Sequence, residues 1–335
     1  MKAKFKYLLI VVFIMAGFSS CKKFLDVVPD NVATIENAFS DKYTAEKYLT
    51  TCYSYLPEFG DAWGNPTLLG GDEIWYPDRL NYNAAVRIAR GEQNITDPLY
   101  DYWTGGQGGK PLYEGIRVCN TFLEKIGGVK DLYDYERIRW VAEVNFLKAY
   151  YHYYLIRMYG PMHITDKSMP VSATTEAIKI ERQHVDSCFN YVVRLLDKAI
   201  PDLPLQIQMT TTELGRITKP IAASIKARVL MTAASPLFNG NPDYATFTSK
   251  DNETLFSTSY DETKWTKAAL ACKEAIDLCH DAGFALYKKS DLILTSQIND
   301  SLTMKLMLRS RISERWNKEI IWSSTGSLAD YLQYE

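Results

Sequence analysis

The chain has 335 residues, of which 47% are hydrophobic and 23% are charged, and its formal net charge at pH 7 is −2. This composition is typical of a globular protein and excludes a wholly disordered chain. The near-neutral charge, with no long basic run, argues against a nucleic-acid-binding protein. The 23 tyrosines and 7 tryptophans are the most informative feature, because many of them fall in polar, loop-like segments.

The first 20 residues are typical of an export signal. Three lysines precede an apolar run from Tyr7 to Met15, which is too short to span a bilayer as a helix. Small residues then lead to Cys21, in a pattern that resembles a lipobox, and this predicts lipidation of Cys21 followed by a lipid-anchored tether over residues 21–34. The alternative is an ordinary cleaved signal that leaves Cys21 as a structural residue.

Five cysteines remain after Cys21, and each lies in an apolar helical pattern rather than in a disulfide framework. The sequence leaves their disulfide status open. They are Cys52, Cys119, Cys188, Cys272 and Cys279.

Apolar residues at helical spacing predict six helices. They cover residues 35–56, 111–126, 134–159, 174–200, 219–234 and 264–282. Taken along the chain, the helices pair as three hairpins. Residues 57–108 have no sustained period and are rich in Gly, Pro, Asn, Asp and aromatics, which predicts a long irregular region of the kind that often carries function.

The helix over 134–159 is apolar on two faces, so it needs at least two neighbouring helices. Ala142 and Ala149 lie two turns apart, where small side chains allow another helix to come close. Gly160 and Pro161 end the helix. These demands favour a mainly α fold, a tetratricopeptide-like helical-hairpin scaffold with long irregular loops over residues 35–282.

The last part of the chain, residues 283–335, has a different pattern. Residues 284–287 and 319–323 alternate like short strands, while 288–310 are ambiguous. This predicts the beginning of a mixed second region. Upstream of it, Thr218 is a candidate N-cap for the helix over 219–234.

Four segments together resemble the SusD/RagB family of outer-membrane nutrient-binding lipoproteins. They are Cys21-Lys-Lys-Phe-Leu-Asp-Val-Val-Pro29, Leu112–Leu123, Ala142–Pro161 and Thr218–Phe238. Each segment is a weak signal alone. Together, in this order and at this spacing, the segments are a strong signal, and they cover nearly the whole chain.

The resemblance implies a tetratricopeptide-like scaffold and a lipid anchor in the outer membrane, with the protein facing outward. It also implies a partner, a SusC-like TonB-dependent transporter, over which the lipoprotein sits as a hinged lid delivering a glycan or, less often, a peptide. Members of the family are normally longer, so residues 283–335 are expected to be a truncated C-terminal region.

Sugars are recognised by flat aromatic faces together with a few planar polar groups. The loop over residues 72–83 contains such a set, and it predicts a ligand-binding site for oligosaccharide. The predicted ligand residues are Asp72, Trp75, Tyr76, Arg79, Tyr82 and Asn83. The resemblance places Arg79 near a ligand-facing arginine of the family. The alternative is that Trp75 and Tyr76 only pin the loop onto the helices, as Trp103 is predicted to do.

Enzyme and cofactor signatures are missing from the sequence. The run Gly105-Gly-Gln-Gly-Gly-Lys110 does not fit a phosphate-binding loop, because Thr104 and Pro111 stand at the positions that need Gly and Ser or Thr. The four histidines have no metal-site spacing. The sequence therefore predicts a binding protein with no cofactor, no metal, no catalytic residue and no nucleic-acid partner. The alternatives are a tetratricopeptide-like adaptor that binds only protein, a peptide-binding RagB-type receptor, and a glycoside hydrolase.

Overall fold

The structure is a computed structural model that describes residues 34–57, 65–71, 82–170, 172–293 and 298–325. The chain divides into two compact units, residues 1–38 and Phe39–Glu335. The predicted export signal and Cys21 lie outside the described residues. Of the first unit only residues 34–38 are described, so the architecture below is that of the second unit.

The described residues form ten α-helices joined by irregular chain. They are α1 Lys42–Ser54, α2 Pro66–Leu69, α3 Ala84–Ala89, α4 Leu112–Lys125, α5 Asp134–Tyr159, α6 Thr175–Ile178, α7 Val185–Ala199, α8 Lys219–Ala234, α9 Thr263–Asp281 and α10 Asp300–Ser313. Short 3-10 turns lie at Asn37–Phe39, Ile126–Gly128, Ile200–Asp202, Pro242–Tyr244 and Lys289–Asp291.

The long helices form a stack in chain order. α1 packs against α4, α4 against α5, α5 against α7, α7 against α8, and α8 against α9. The three predicted hairpins, α1 with α4, α5 with α7 and α8 with α9, are therefore confirmed. So is the mainly helical, hairpin-built scaffold.

Two helix boundaries differ from the sequence prediction. α1 begins at Lys42, because the side chain of Asp41 accepts the N–H of Thr44 at 3.0 Å and caps the helix there. The single helix predicted over 174–200 is wrong, since it is split into α6 and α7. Between them Gln183 donates its N–H to the carbonyl of Met162 at 2.9 Å, a bond that keeps this stretch out of a helix.

α5 is the centre of the stack and is covered on every side over most of its length. Sixteen of its 26 residues are buried, among them Ala142 and Ala149. The helix ends at Gly160, whose φ of 68° favours glycine. A Cβ at Gly160 would also lie 2.9 Å from the ring of Phe256, so both the conformation and the packing require glycine.

A buried ionic cluster on α5 fixes the loop that precedes α8. Glu143 accepts hydrogen bonds from Tyr53 at 2.7 Å, from Arg139 at 2.9 Å and from Arg216 at 3.0 and 3.1 Å. Both arginines also pair with Glu213. Two arginines and two buried carboxylates, with the more exposed Glu46 3.9 Å from Arg216, thus meet where α1, α5 and this loop come together.

A second polar contact ties the chain after α5 to the helix. The buried Lys148 donates to the backbone carbonyl of Asp166 at 2.6 Å, and its ammonium lies 5.9 Å from the ring centre of Tyr191. One turn further on, the Nδ1 of His152 donates to the carbonyl of Lys148 at 2.7 Å, and its Nε2 accepts the N–H of Thr165 at 3.4 Å. Burial lowers the pKa of His152 to about 4, so the ring is neutral at pH 7.

α9 is attached on one side only. The helix buries Ala268, Ala271, Ala275 and Cys279, and its alanines meet alanines of α8. Small side chains let the two helices approach closely but bury little apolar area. At the start of α8, Thr218 occupies the predicted N-cap position, but its side chain makes no capping hydrogen bond.

The described part of residues 283–325 contains no β-strand, so the two predicted strands are wrong. Ala285 donates its N–H to the carbonyl of Lys318 at 3.0 Å, but this single bond is not continued into a ladder. Residues 319–323 form turns, and the ambiguous stretch contains α10. Alternating apolar and polar residues form a strand only where a neighbouring strand makes hydrogen bonds with the backbone N–H and carbonyl groups.

Candidate functional site

Four of the six predicted ligand residues, Asp72, Trp75, Tyr76 and Arg79, lie outside the described residues. The other two directly precede α3. The ring of Tyr82 is exposed, whereas Asn83 is buried as the N-cap of α3. The carboxamide oxygen of Asn83 accepts the N–H of Ala85 at 2.8 Å, so its observed contact is structural. Ligand binding by these residues stays a prediction.

A pair of short helices flanks the predicted ligand loop. α2 begins after Asn65, whose side chain accepts the N–H of Thr67 at 3.0 Å, and α3 begins after Asn83. α2 and α3 pack against each other, and a Cβ on Gly70, which follows α2, would lie 3.5 Å from the carbonyl oxygen of Ala85 in α3. The chain therefore leaves α2 and enters α3 at neighbouring positions.

The chain between α3 and α4 is irregular but held by side-chain hydrogen bonds. The amide group of Gln93 accepts the N–H of Leu99 at 2.7 Å and donates to its carbonyl at 2.9 Å. Asp101 accepts the N–H groups of Trp103 at 2.8 Å and Thr104 at 3.1 Å. Although burial opposes its ionisation, hydrogen bonds, chiefly from Thr104, lower the pKa of Asp101, which keeps it an acceptor at neutral pH.

The side chain of Trp103 is half-buried in an aromatic cluster at the C-terminal end of α5. Its ring centre lies 4.7 Å from that of Tyr113, 5.4 Å from that of Tyr159 and 5.3 Å from that of His163, all in edge-to-face geometry. The guanidinium of Arg182 lies 5.2 Å from the ring centre of Trp103. The predicted packing role of Trp103 is confirmed.

Arg182 is the member of this cluster that sequence reasoning missed. Its guanidinium donates to the carbonyl oxygens of Tyr159 at 3.3 Å and Pro161 at 3.1 Å. The same guanidinium therefore donates hydrogen bonds to carbonyl oxygens at the C-terminal end of α5 and stacks on the ring of Trp103. No sequence signal joins two residues so far apart in the chain, so this contact needed the structure.

A cavity of about 320 Å³ lies between the loop that precedes α8 and residues 316–322. Trp322 forms one wall, with its indole N–H donated to the carbonyl of Gly215 at 3.2 Å and its ring edge-to-face with Phe146 and Tyr150 of α5. The lining is mainly apolar, and the volume is at the lower end of the range for small-molecule sites. Of the two predicted ligand residues that the structure describes, neither Tyr82 nor Asn83 lines it.

Two arrangements, a metal site and a membrane-spanning helix, are absent from the described residues. Within them no group of three His, Cys, Asp or Glu side chains is placed to hold a metal ion. In the same part of the chain, no helix combines the length and apolar character needed to cross a bilayer.

Comparison with known proteins relates this architecture to a family. The sequence profile of a SusD-like family described as "Starch-binding associating with outer membrane" matches residues 23–231. The solved structure of BT4246 is 30% identical, with a TM-score of 0.74, over 86% of this chain and 51% of that chain. The chain thus spans about half the length of that protein. A search of curated proteins gives no match.

Two further solved structures share the fold at lower identity. A SusD-like protein of Bacteroides fragilis is 21% identical, with a TM-score of 0.55, over 79% of this chain and 43% of its own. Surface glycan-binding protein A of Bacteroides uniformis is 19% identical, with a TM-score of 0.52, over 73% of this chain and 47% of its own. The family profile covers more than half of the chain, and the helical stack agrees with it: the chain belongs to the SusD-like family.

Proposed function

We propose that this protein is a surface glycan-binding lipoprotein of the outer membrane that captures an oligosaccharide and passes it to a SusC-like TonB-dependent transporter. The observation that carries the proposal is the match of residues 23–231 to a family described as starch-binding and associated with the outer membrane. The described residues add a rigid helical scaffold whose irregular segments carry exposed aromatic rings. The proposal is for a binding protein and not an enzyme.

The ligand is proposed to bind the loop between α2 and α3. Its sequence combines Trp75 and Tyr76 with Arg79, the aromatic and planar polar groups that recognise sugars. The exposed ring of Tyr82 stands where this loop joins α3. Pro77 biases Tyr76 towards an extended backbone, so neighbouring side chains point in opposite directions. We therefore expect Trp75 or Tyr76, but not both, to stack on sugar.

Calorimetric titration tests this site. A glycan array first identifies an oligosaccharide that the parent protein binds, and Trp75→Ala, Tyr76→Ala and Arg79→Ala are then titrated with it. Loss of a stacking ring is expected to weaken binding about five- to 150-fold, by analogy with base stacking on aromatic side chains. The matched control is Trp265→Ala, because Trp265 is an exposed tryptophan that belongs to α9 and not to the loop.

The possible outcomes separate the competing functions. If all three variants fold and bind like the parent, the site lies elsewhere in the protein. If the array retains no glycan but a peptide or protein binds, a RagB-type receptor or an adaptor replaces the proposal. Turnover of a bound glycan would instead indicate a glycoside hydrolase.

The lipid anchor is tested by Cys21→Ser. The variant should move from the membrane fraction to the soluble fraction without unfolding, because stable anchoring depends on acyl chains. Cys272→Ser is the control, since Cys272 is a half-buried thiol on α9 and should leave fractionation unchanged. A Cys21→Ser protein that stays wholly with the outer membrane, with no partner present, contradicts the anchor.

A further inference from the structure

Two tyrosines at the start of α5 form an exposed aromatic surface, called here the tyrosine platform. Tyr133 is 66% and Tyr135 is 71% exposed. Their ring centres lie 5.8 Å apart and their planes differ by only 12°. One exposed tyrosine needs no explanation, but two stacked rings left open to solvent expose aromatic surface of the kind that marks interaction sites.

The backbone that carries the platform is held in place on both sides. The guanidinium of Arg137 donates to the carbonyl oxygens of Val129 at 2.8 Å and Leu132 at 3.0 Å. From α1, the backbone N–H of Lys42 is donated to the side chain of Asp131 at 2.8 Å. A surface fixed in this way loses little conformational freedom when it binds a ligand.

The charges around the platform do not favour an anionic ligand. Lys42 pairs with Glu136 at 2.6 Å and its ammonium lies 6.0 Å from the ring centre of Tyr133. Arg137 pairs with Asp134, and Asp131 adds a third carboxylate. With two cations against three carboxylates, the surface lacks the positive field that attracts phosphates, sulfated glycans or anionic lipids.

We infer that the tyrosine platform binds neutral polysaccharide by stacking of sugar rings. The inference rests on the proposed function. It adds a second contact site on the protein and specifies a polymeric ligand, a polysaccharide. An open surface without walls covers only one face of a sugar, so each contact is weak. A chain of repeated sugar units gains affinity when such a contact acts together with a second site on the same molecule.

The platform lies apart from the aromatic cluster around Trp103. It is at the N-terminal end of α5, whereas the rings around Trp103 lie at Tyr159, the C-terminal end. A 26-residue helix is about 39 Å long. The platform is therefore a separate surface and not part of the Trp103 cluster.

The test is affinity electrophoresis of the whole protein in gels that contain a soluble neutral polysaccharide, either amylopectin, dextran or a mixed-linkage β-glucan. For a polysaccharide that retards the parent, Tyr133→Ala/Tyr135→Ala should bind at least about fivefold more weakly. Tyr133→Phe/Tyr135→Phe should keep the parent affinity, because phenylalanine preserves the ring. Tyr260→Ala should also bind like the parent, since Tyr260 is 64% exposed at another site.

Three results would overturn the inference. The first is equal retardation of the parent and the double alanine variant. The second is equal weakening by the alanine and phenylalanine pairs, which would assign binding to the hydroxyl groups. The third is a parent that no polysaccharide retards and no array glycan binds, in which case the proposed function fails as well. The single variant Tyr135→Ala, at an exposed first-turn position, repeats the test if the double variant does not fold.

Discussion

α5 and α9 are both long helices of one stack, yet they are held in opposite ways. α5 buries sixteen of its 26 residues, including the charged side chains of Glu143 and Lys148, whereas α9 buries four of its 19 residues, three of them alanines. α5 has helices on both sides and α9 packs mainly on α8. The difference shows that position in the stack, more than helix length, decides how much each residue contributes to stability.

The comparison also shows where polar residues belong in such a stack. On α5 the buried polar groups join the helix to distant segments: Glu143 to the loop before α8, and Lys148 to the chain around Asp166. On α9 most charged residues are exposed; for example, Lys273 pairs with Asp277 within the helix, whereas Lys264 at its start pairs with Asp186 of α7. Exposed pairs of this kind contribute little to stability.

The largest expected effect comes from breaking the ionic cluster of α5. Glu143→Ala removes one of the two carboxylates that Arg139 and Arg216 share and leaves an excess of positive charge in a largely buried site, and breaking a buried ion pair in this way typically costs about 3–5 kcal/mol. Chemical denaturation should therefore show a large decrease in the free energy of unfolding. The matched α9 variant is Asp277→Ala, which removes an exposed acceptor and should change stability by no more than about 0.5 kcal/mol. Equal effects would mean that the cluster does not hold α5.

A smaller effect is expected from overpacking the two helices. Ala149→Leu adds three carbons to a fully buried position of α5, and overpacking costs about 1–3 kcal/mol. Ala269→Leu makes the same change at an exposed position of α9 and should leave the melting temperature nearly unchanged. A melting temperature that is unaffected by Ala149→Leu would contradict the burial of α5 on two sides.

The smallest effect concerns pH and His152. Burial lowers its folded-state pKa from 6.5 to about 4, so between these values the unfolded chain binds a proton that the folded protein does not. Stability contributed by the neutral ring is fully present well above pH 6.5 and is lost as the pH falls towards the folded-state pKa, by roughly 1 kcal/mol at pH 5.5.

His152→Gln should therefore lose less stability than the parent between pH 8 and pH 5.5, whatever its stability at pH 8. Urea denaturation at the two pH values measures the difference. The control is His280→Gln on α9, because His280 is exposed and its removal should leave the parent's pH dependence. An unchanged pH dependence in His152→Gln would falsify the assignment of this loss of stability to the lowered pKa of His152.

The sequence predicted the stack because the evidence for it is local. Apolar spacing, together with the Gly160-Pro161 stop, was sufficient to place α5, and helix pairing followed from chain order. The split between α6 and α7 could not be predicted, because it depends on a hydrogen bond from Gln183 to Met162 across the chain. The predicted strand at 284–287 failed for the same reason, since alternation does not reveal whether a second strand is present.

The candidate site was less predictable than the fold. Residue types alone indicated the sugar-binding chemistry of the loop before α3, but they did not reveal that Asn83 caps that helix. The stacking of Arg182 on Trp103 and of Tyr133 on Tyr135 depends on side-chain directions. Sequence spacing fixes neither a contact between residues as distant in the chain as Trp103 and Arg182 nor the ring directions at the start of a helix.

The alanine seam between α8 and α9 has a consequence for the way this protein opens. A helix that is joined to the stack by small side chains can detach while the rest of the stack remains folded. The amide protons of α9 would then exchange with solvent through this partial opening, whereas those of α5 would exchange only when the whole unit unfolds. A protease would likewise reach α9 long before it reached the centre of the stack.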